Sequence, residues 1–239
     1  FEWDMLFHRA AVADPRKCRD DFDLAFQANV VGTKDVLANW SGVGRIIFLS
    51  TASVYGEPEY LPIDENHPLN GDDPYAVTKL LGEQICKHYR ENSNVPITVV
   101  RNFNTFGPGQ SRSYLIPTLI YQALTDNAIE LWNPNPVRDF AYIDNTIDAL
   151  LSVAETENCE GMTVNIGGGE GIKIGELADR IGEAQRRRTT IVFDAQQAPD
   201  GAPSEEVFAE MRVVFSVGTD ADSLIEQMLL AHSSPRQVL

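Results

Sequence analysis

Cysteine, histidine and basic residues are scarce in this 239-residue chain, and each scarcity removes a class of function. The three cysteines, Cys18, Cys86 and Cys159, are odd in number and widely spaced. They offer neither a disulfide framework nor a paired zinc-ligand spacing, and they suit a reducing compartment. The four histidines, His8, His67, His88 and His232, are equally scattered, so no metal site is expected. No run approaches the roughly 20 apolar residues that span a bilayer. The opening Phe1-Glu2-Trp3-Asp4 lacks the basic segment of a secretory signal. A cytoplasmic protein with no membrane partner is expected. Only 19 residues are basic against 35 acidic, a net charge of −16, and arginine far outnumbers lysine. Such a surface repels nucleic acid and anionic lipid. It fits an acidic cytosolic enzyme, or a protein from a salt-adapted organism in which salt screens the like charges.

What is present is an ordinary globular composition, 43% hydrophobic, enough for one large domain or a large domain with a small lobe. Asp4 to His8 reads as a short strand, followed by Ala10-Ala11 and a polar loop. Apolar residues at helical spacing run from 21 to 40. Arg45 to Ser50 is a continuous apolar run, as expected of a strand buried on both faces of a parallel sheet. A loop covers Thr51 to Asp73. Asp73 is a good N-cap and Pro74 suits a first helical position, so a helix is predicted from there to about Asn92. A strand follows over Ile97 to Val100. Strand–helix–strand–helix–strand is the signature of a doubly wound α/β sheet. Beyond Gly107-Pro108-Gly109 helices are predicted over 114–125, 144–155 and 173–187, with a strand over Thr163 to Ile166 ending in three glycines. Residues 196–204 read as loop and 220–232 as a closing amphipathic helix.

The chemistry starts in the helix that follows Asp73. Tyr75-Ala76-Val77-Thr78-Lys79 puts a phenol and an ammonium on one helix face. A free tyrosine titrates near ~10, too high for a base at neutral pH, and a nearby cation favours the phenolate. Alone the spacing is cheap. Twenty residues earlier, Ser50-Thr51-Ala52-Ser53-Val54-Tyr55-Gly56 follows the buried strand, and strand ends are where α/β sheets place ligands.

Together these residues resemble the extended short-chain dehydrogenase/reductases, in particular the NAD-dependent epimerase/dehydratases of the UDP-glucose 4-epimerase type. The resemblance runs from about residue 4 to 185. It rests on ordered blocks: Phe7 to Ala11, Asn29 to Thr33, Ser50 to Gly56, Tyr75 to Lys79, Arg101 to Gly109, Val137 to Phe140, and Asn165 to Gly167. It implies a partial Rossmann-type sheet over 1–107 and a smaller α/β substrate-binding lobe over 108–239. Segments around 140–168 return to the first domain, and 188–239 is unassigned. It implies NAD as cofactor, with NADP the alternative, and a nucleotide-diphosphate sugar, UDP-linked by preference, as substrate. Tyr75 is then the acid/base, Lys79 binds the nicotinamide ribose and tunes Tyr75, and Thr51 is the hydroxyl beside the reacting carbon. Ala10, Ala11, Asn29, Ser50 and Phe103 line the cofactor. Asn104, Arg112 and Arg138 meet the substrate, Arg138 gripping the diphosphate with a fork matched to phosphate. The helices beside Tyr75 would pair in a homodimer, an oligomeric state the sequence leaves open.

Two departures are visible. The glycine-rich phosphate loop and the acidic ribose-binding residue are missing. With no initial Met, the expectation is a piece of a longer chain with about 65–80 residues upstream, two or more βα units. The tail beyond 188 lacks the family's Trp-x-Pro block, and Arg186-Arg187-Arg188 precedes a stretch of poor periodicity. Within the family, sugar 4,6-dehydratases carry an Asp-Glu pair after the Thr. Here Ala52 and Ser53 stand there and cannot shuttle protons at neutral pH. An epimerase is therefore favoured over a dehydratase, with decarboxylase, keto-sugar reductase and a non-catalytic sugar-nucleotide binder as the alternatives.

Overall fold

Strand pairing follows from the apolar run at 45–50, whose alternate residues face two different cores. A computed structural model describes residues 4–42, 44–93, 95–125, 128–184 and 190–193. The expected helix at 220–232, the loop at 196–204 and the triple arginine lie outside the described residues. In chain order the first elements are β1 (Met5–His8), α1 (Pro15–Asp20), α2 (Phe22–Phe26), a π-helical turn (Gln27–Val31), α3 (Gly32–Ala38) and β2 (Arg45–Thr51). A 3-10 turn (Ala52–Tyr55), α4 (Pro74–Ser93), β3 (Ile97–Asn102), β4 (Asn104–Phe106), α5 (Leu115–Thr125) and β5 (Ala128–Leu131) come next. The described chain ends with β6 (Val137–Tyr142), α6 (Ile143–Glu155), a 3-10 turn (Glu157–Cys159), β7 (Thr163–Ile166), β8 (Gly171–Lys173), α7 (Ile174–Ala184) and β9 (Thr190–Phe193). Among the described residues two units result, 4–104 with 146–167, and 105–145 with 168–193.

In the first unit the strands run β1-β2-β3-β7, all parallel. Ile46 and Phe48 of β2 join Leu37, Cys86, Ile97 and Val99 on one face, beneath α3 and α4. Ile47 joins Val100, Val153, Ala154 and Ile166 on the other, beneath α6. Both faces are thus dry, which is why the run shows no polar alternation. Arg45 seals the end of α6: its Nη1 donates to the carbonyls of Val153 (3.0 Å), Ala154 (3.2 Å) and Thr156 (2.7 Å). A cation on the last free carbonyls of a helix is favoured by their dipoles.

The region read as one helix over 21–40 is more broken. Asp14 caps α1 by accepting from the Arg16 amide at 2.9 Å, with Pro15 as first helical residue, where a polar loop was expected. Only Cys18 of that helix is buried, so no apolar stripe announces it. Asp21 caps α2 through the Leu24 amide at 2.9 Å, and the π turn interrupts the helix before α3.

The second unit has its own core: Ile116, Leu119, Ile120 and Ala123 of α5, Ile129 and Leu131 of β5, Tyr142, and Leu177, Ala178 and Ile181 of α7. One small sheet has the order β4-β6-β8, with β6 antiparallel to β8. Another pairs β5 with β9 in parallel. Strand β5 was not foreseen, because only two of its four residues, Ile129 and Leu131, point inward. Among the described residues no helix is long and apolar enough to cross a membrane, and no three His, Cys, Asp or Glu residues are grouped to hold a metal.

Candidate active site

Helix α4 carries the phenol and the ammonium, and its start is fixed by Asp73. The Asp73 carboxylate accepts from the amides of Tyr75 (3.0 Å) and Ala76 (3.2 Å), so the first turn is capped directly at Tyr75. Gly82, further along, lets α4 close on the sheet: a Cβ there would sit 2.7 Å from Cζ of Phe48. Lys79 is buried at 4% exposure. Its Nζ donates to the Leu49 carbonyl at 2.6 Å and stands 5.0 Å from the centre of the Phe48 ring. Burial holds its pKa down to about 8, opposed by Cys86, Glu83 and Cys18.

Thr51 ends β2, paired in register with Asn102. Its hydroxyl accepts from the Ser53 amide at 3.2 Å and reaches the Ser53 hydroxyl at 3.3 Å, starting the 3-10 turn. Ser53 is exposed. Its hydroxyl has no assigned role among the sequence expectations, and the signal for it is its place two residues after a strand-end Thr. The turn is closed by Gly56, at φ 68°, and by the following loop, whose Asn70 and Gly71 amides donate to Tyr55 and Val54.

Asn29 lies in the π turn and is 1% exposed. Its amide nitrogen donates to the Val12 carbonyl (3.0 Å) and to the Thr78 hydroxyl (2.9 Å), and its oxygen accepts from the Val12 amide (2.7 Å). Thr78 in turn donates to the Tyr75 carbonyl at 2.8 Å. Asn29 therefore ties the loop after Ala10 and Ala11 to the helix of Tyr75. His8, whose pKa is lowered by burial and by Lys79, bonds through Nε2 to the Thr33 hydroxyl (2.9 Å). That hydroxyl already donates to the Asn29 carbonyl at 2.6 Å, so Nε2 carries the proton. π turns recur at functional sites, and here the turn aims one amide at two elements.

Ser50, expected at the cofactor, donates its hydroxyl to the buried carboxylate of Glu83. Arg101 of β3 completes that pair, with Nη2 2.8 Å from Glu83. Neither Glu83 nor the partnership of Arg101 was drawn from the sequence, because a pair 18 positions apart has no helical or strand periodicity to reveal it. Ala10 is exposed and Ala11 half-buried, both directly after β1. Phe103 is half-buried and follows β3, its amide donating to the Ile166 carbonyl at 2.8 Å, and Asn104 is exposed at the start of β4. Ala10, Ala11, Thr51 and Phe103 thus all stand at carboxyl ends of one parallel sheet, where α/β folds bind ligands.

In the second unit Arg138 is exposed on β6, and its Nη1 donates to the carbonyl of Val137 at 2.8 Å. The neighbouring Asp139 carboxylate accepts from the amides of Gly168 (2.5 Å) and Gly169 (2.8 Å). A Cβ on Gly168 would collide with the Phe140 carbonyl oxygen, so that approach requires glycine. Arg112 is buried at 6% exposure, its guanidinium 4.2 Å over the ring of Tyr121 on α5.

The donor set of the first unit fits a nicotinamide ribose. An ammonium has three N–H donors, of which the Leu49 carbonyl takes one, and a ribose diol is a matching acceptor.

The sequence model of the NAD dependent epimerase/dehydratase family matches residues 1–167. A second model, the YacP-like NYN domain, matches residues 175–239. The uncharacterized UDP-glucose epimerase YtcB of Bacillus subtilis is 31% identical over 205 residues, covering 84% of this chain and 64% of that protein. UDP-glucuronic acid decarboxylase 1 of Danio rerio is 29% identical over 212 residues, covering 83% of this chain and 50% of that protein. The crystal structure of UDP-glucuronic acid 4-epimerase from Bacillus cereus, in complex with UDP-glucuronic acid and NAD, superposes with a TM-score of 0.78 at 26% identity, covering 96% of this chain and 75% of that one. The chain spans 64% of the length of each of two curated epimerase relatives that it matches. With a match over residues 1–167, the chain belongs to the NAD dependent epimerase/dehydratase family.

Proposed function

We propose that this chain carries the catalytic centre of a UDP-sugar 4-epimerase. The observation that carries the reading is the capped helix α4, which holds Tyr75 and the buried Lys79 on one face, beside a strand end where Thr51 is followed by Ala52 and Ser53. Lys79 and Tyr75 hold the cofactor ribose, and Ala10, Ala11 and Phe103 line the cofactor at the strand ends. A bound nicotinamide would supply a hydride acceptor for the sugar carbon and a donor for its return. Tyr75, as phenolate beside the Lys79 ammonium, takes the proton of the sugar 4-hydroxyl and gives it back at the end. Thr51 and Ser53 bind the same sugar oxygen and steady it while it is a ketone. The ketone turns over between the two transfers, so that the hydroxyl re-forms with inverted configuration. Arg138 binds the diphosphate, the local cation that an anionic ligand needs on a chain of net charge −16.

Two relatives bear on the choice of reaction. YtcB is described as a UDP-glucose epimerase, and the Bacillus cereus structure is of a 4-epimerase holding UDP-glucuronic acid. A decarboxylase or dehydratase is the second reading, favoured by the Danio rerio decarboxylase among the relatives. The absence of Asp-Glu after Thr51 weighs against dehydration, which needs an additional acid and base. The test is turnover of UDP-glucose, UDP-galactose and UDP-glucuronic acid by the NAD-loaded enzyme, with products separated by chromatography. Equilibration of a C4 pair, abolished roughly a hundredfold or more in Tyr75→Phe, supports the reading. Release of carbon dioxide or a 4-keto-6-deoxy product without epimer sinks it.

A further inference from the structure

Beneath the candidate site lies a buried charged pair to which the proposed function gives no role. Glu83 of α4 and Arg101 of β3 are 6% and 5% exposed. Arg101 Nε lies 3.1 and 3.3 Å from the two Glu83 oxygens and Nη2 lies 2.8 Å from one of them. Ser50, the residue before Thr51, donates its hydroxyl to the same carboxylate. Arg101 Nη1 donates to the Tyr55 hydroxyl (3.1 Å) and the Glu65 carbonyl (3.2 Å), and Tyr55 donates to Asn165 (2.6 Å). Ser50, Arg101 and Asn165 are register partners on three adjacent strands. Glu83 therefore closes a row that crosses the sheet, and it lies one turn beyond Lys79 and two beyond Tyr75 on the same face of α4.

A buried ion pair is a poor stabiliser, because desolvation consumes most of its attraction and apolar side chains of equal volume do as well. Its place under this helix calls for another reason. We propose that Glu83 is a positioning residue of the reaction: held by Arg101 and Ser50, it fixes the Tyr75–Lys79 face of α4 against the strand end that carries Thr51 and supplies a negative charge one helical turn from Lys79. This rests on the reading of Tyr75 as the acid/base.

The groups around Lys79 support the electrostatic half. Burial is what depresses Lys79, and Cys86 and Glu83 on α4 and Cys18 on α1 oppose it. Burial pushes the Cys86 thiol up to about 12 and raises Cys18, so neither carries charge at neutral pH. His8 of β1, lowered by burial and by Lys79, is neutral above its lowered pKa, and Phe48 of β2 offers only its ring face. Glu83 is thus the formal negative charge among them. Without it the ammonium loses its proton at lower pH, and the Tyr75 phenolate loses its counter-charge as pH rises.

Glu83→Gln alone strands a buried guanidinium and can fail to fold, so the test uses Glu83→Gln/Arg101→Met, which makes the pair neutral. Its kcat in the NAD-loaded enzyme should fall at least about tenfold, with KM for the UDP-sugar little changed. The alkaline limb of its kcat profile and the Lys79 titration, followed by nitrogen-15 lysine NMR, should both move lower, by less than about one pH unit because the more distant, opposing Arg101 charge goes with Glu83. Glu83→Asp keeps the charge and shortens the reach, so it should lower kcat and leave the alkaline limb in place. An unmoved Lys79 titration or a wild-type kcat profile in the double variant overturns the proposal. Undiminished turnover in Tyr75→Phe overturns it too, but through the underlying reading, and the NMR shift would then persist without a kinetic counterpart.

Discussion

The ammonium of Lys79 and the carbonyl of Leu49 are 2.6 Å apart across the interface of α4 and β2, so a cation is held in the protein interior by one hydrogen bond, one ring face and the charge on Glu83. This arrangement stores instability at the candidate site. Lys79 titrates at about 8 in the folded chain against an ordinary 10.5. Between those values the unfolded chain binds the extra proton, so Lys79 makes stability rise as pH rises from about 8 to 10.5. Below that window both states are protonated and the full cost of burying the charge is present. Lys79→Met should therefore stabilise the protein by up to about 3 kcal/mol at pH 7 while abolishing turnover. Urea titrations from pH 7 to 10.5 should show the difference from wild type shrinking as pH rises. A difference constant across the series would refute the assignment.

Asn29 should be irreplaceable by its closest relatives. Asn29→Ala strands the Val12 amide and carbonyl and loosens Thr78, for a loss of about 2 kcal/mol or more. Asn29→Asp can still accept from Val12 but donates to neither Val12 nor Thr78, so it should fare no better. Chemical denaturation midpoints measure both. A near wild-type midpoint for the aspartate variant would mean that the two donated bonds contribute little.

Gly82→Ala probes how closely α4 approaches the sheet. The added methyl would lie 2.7 Å from Phe48 Cζ, so about 1–3 kcal/mol of overpacking should outweigh the ~1 kcal/mol gained in helix propensity. Phe48→Leu in the same chain opens space and should recover part of the loss. Additive effects in the double variant would show that the clash is relieved elsewhere.

Arg138→Ala should weaken UDP-sugar binding by about 1.5–3 kcal/mol, because it removes a charged hydrogen bond to a group present in both ground and transition states. Turnover at saturation should change much less. Calorimetric titration of UDP-sugar and of NAD separates the outcomes, with the larger loss expected for UDP-sugar. Unchanged UDP-sugar affinity would leave Arg138 as a surface cation and require another anchor for the diphosphate.

Elements announced by local rules were legible in the sequence. Asp73-Pro74 marks the start of α4 through a cap and a preset φ, and the structure has Asp73 bonded to the Tyr75 and Ala76 amides. The same dipeptide chemistry at Asp14-Pro15 was passed over because the helix behind it buries only Cys18. The run at 45–50 was readable as a doubly covered strand because burial on both faces erases alternation. The resemblance ends before about residue 188, and the second family model matches 175–239.

The sequence by itself determined the order of β1, β2, α4 and β3 and the spacing of Tyr75 from Lys79, since both follow from periodicity and capping within a few residues. Only the tertiary structure decided what surrounds them. It turned Ser50 toward Glu83, brought Arg101 to the same carboxylate, and set Asn29 between Val12 and Thr78. The physical reason is that a buried polar group must find a partner wherever the fold supplies one. Such partners come from strands and helices brought together by packing, at separations of 17, 18, 33 and 49 residues that no local periodicity encodes.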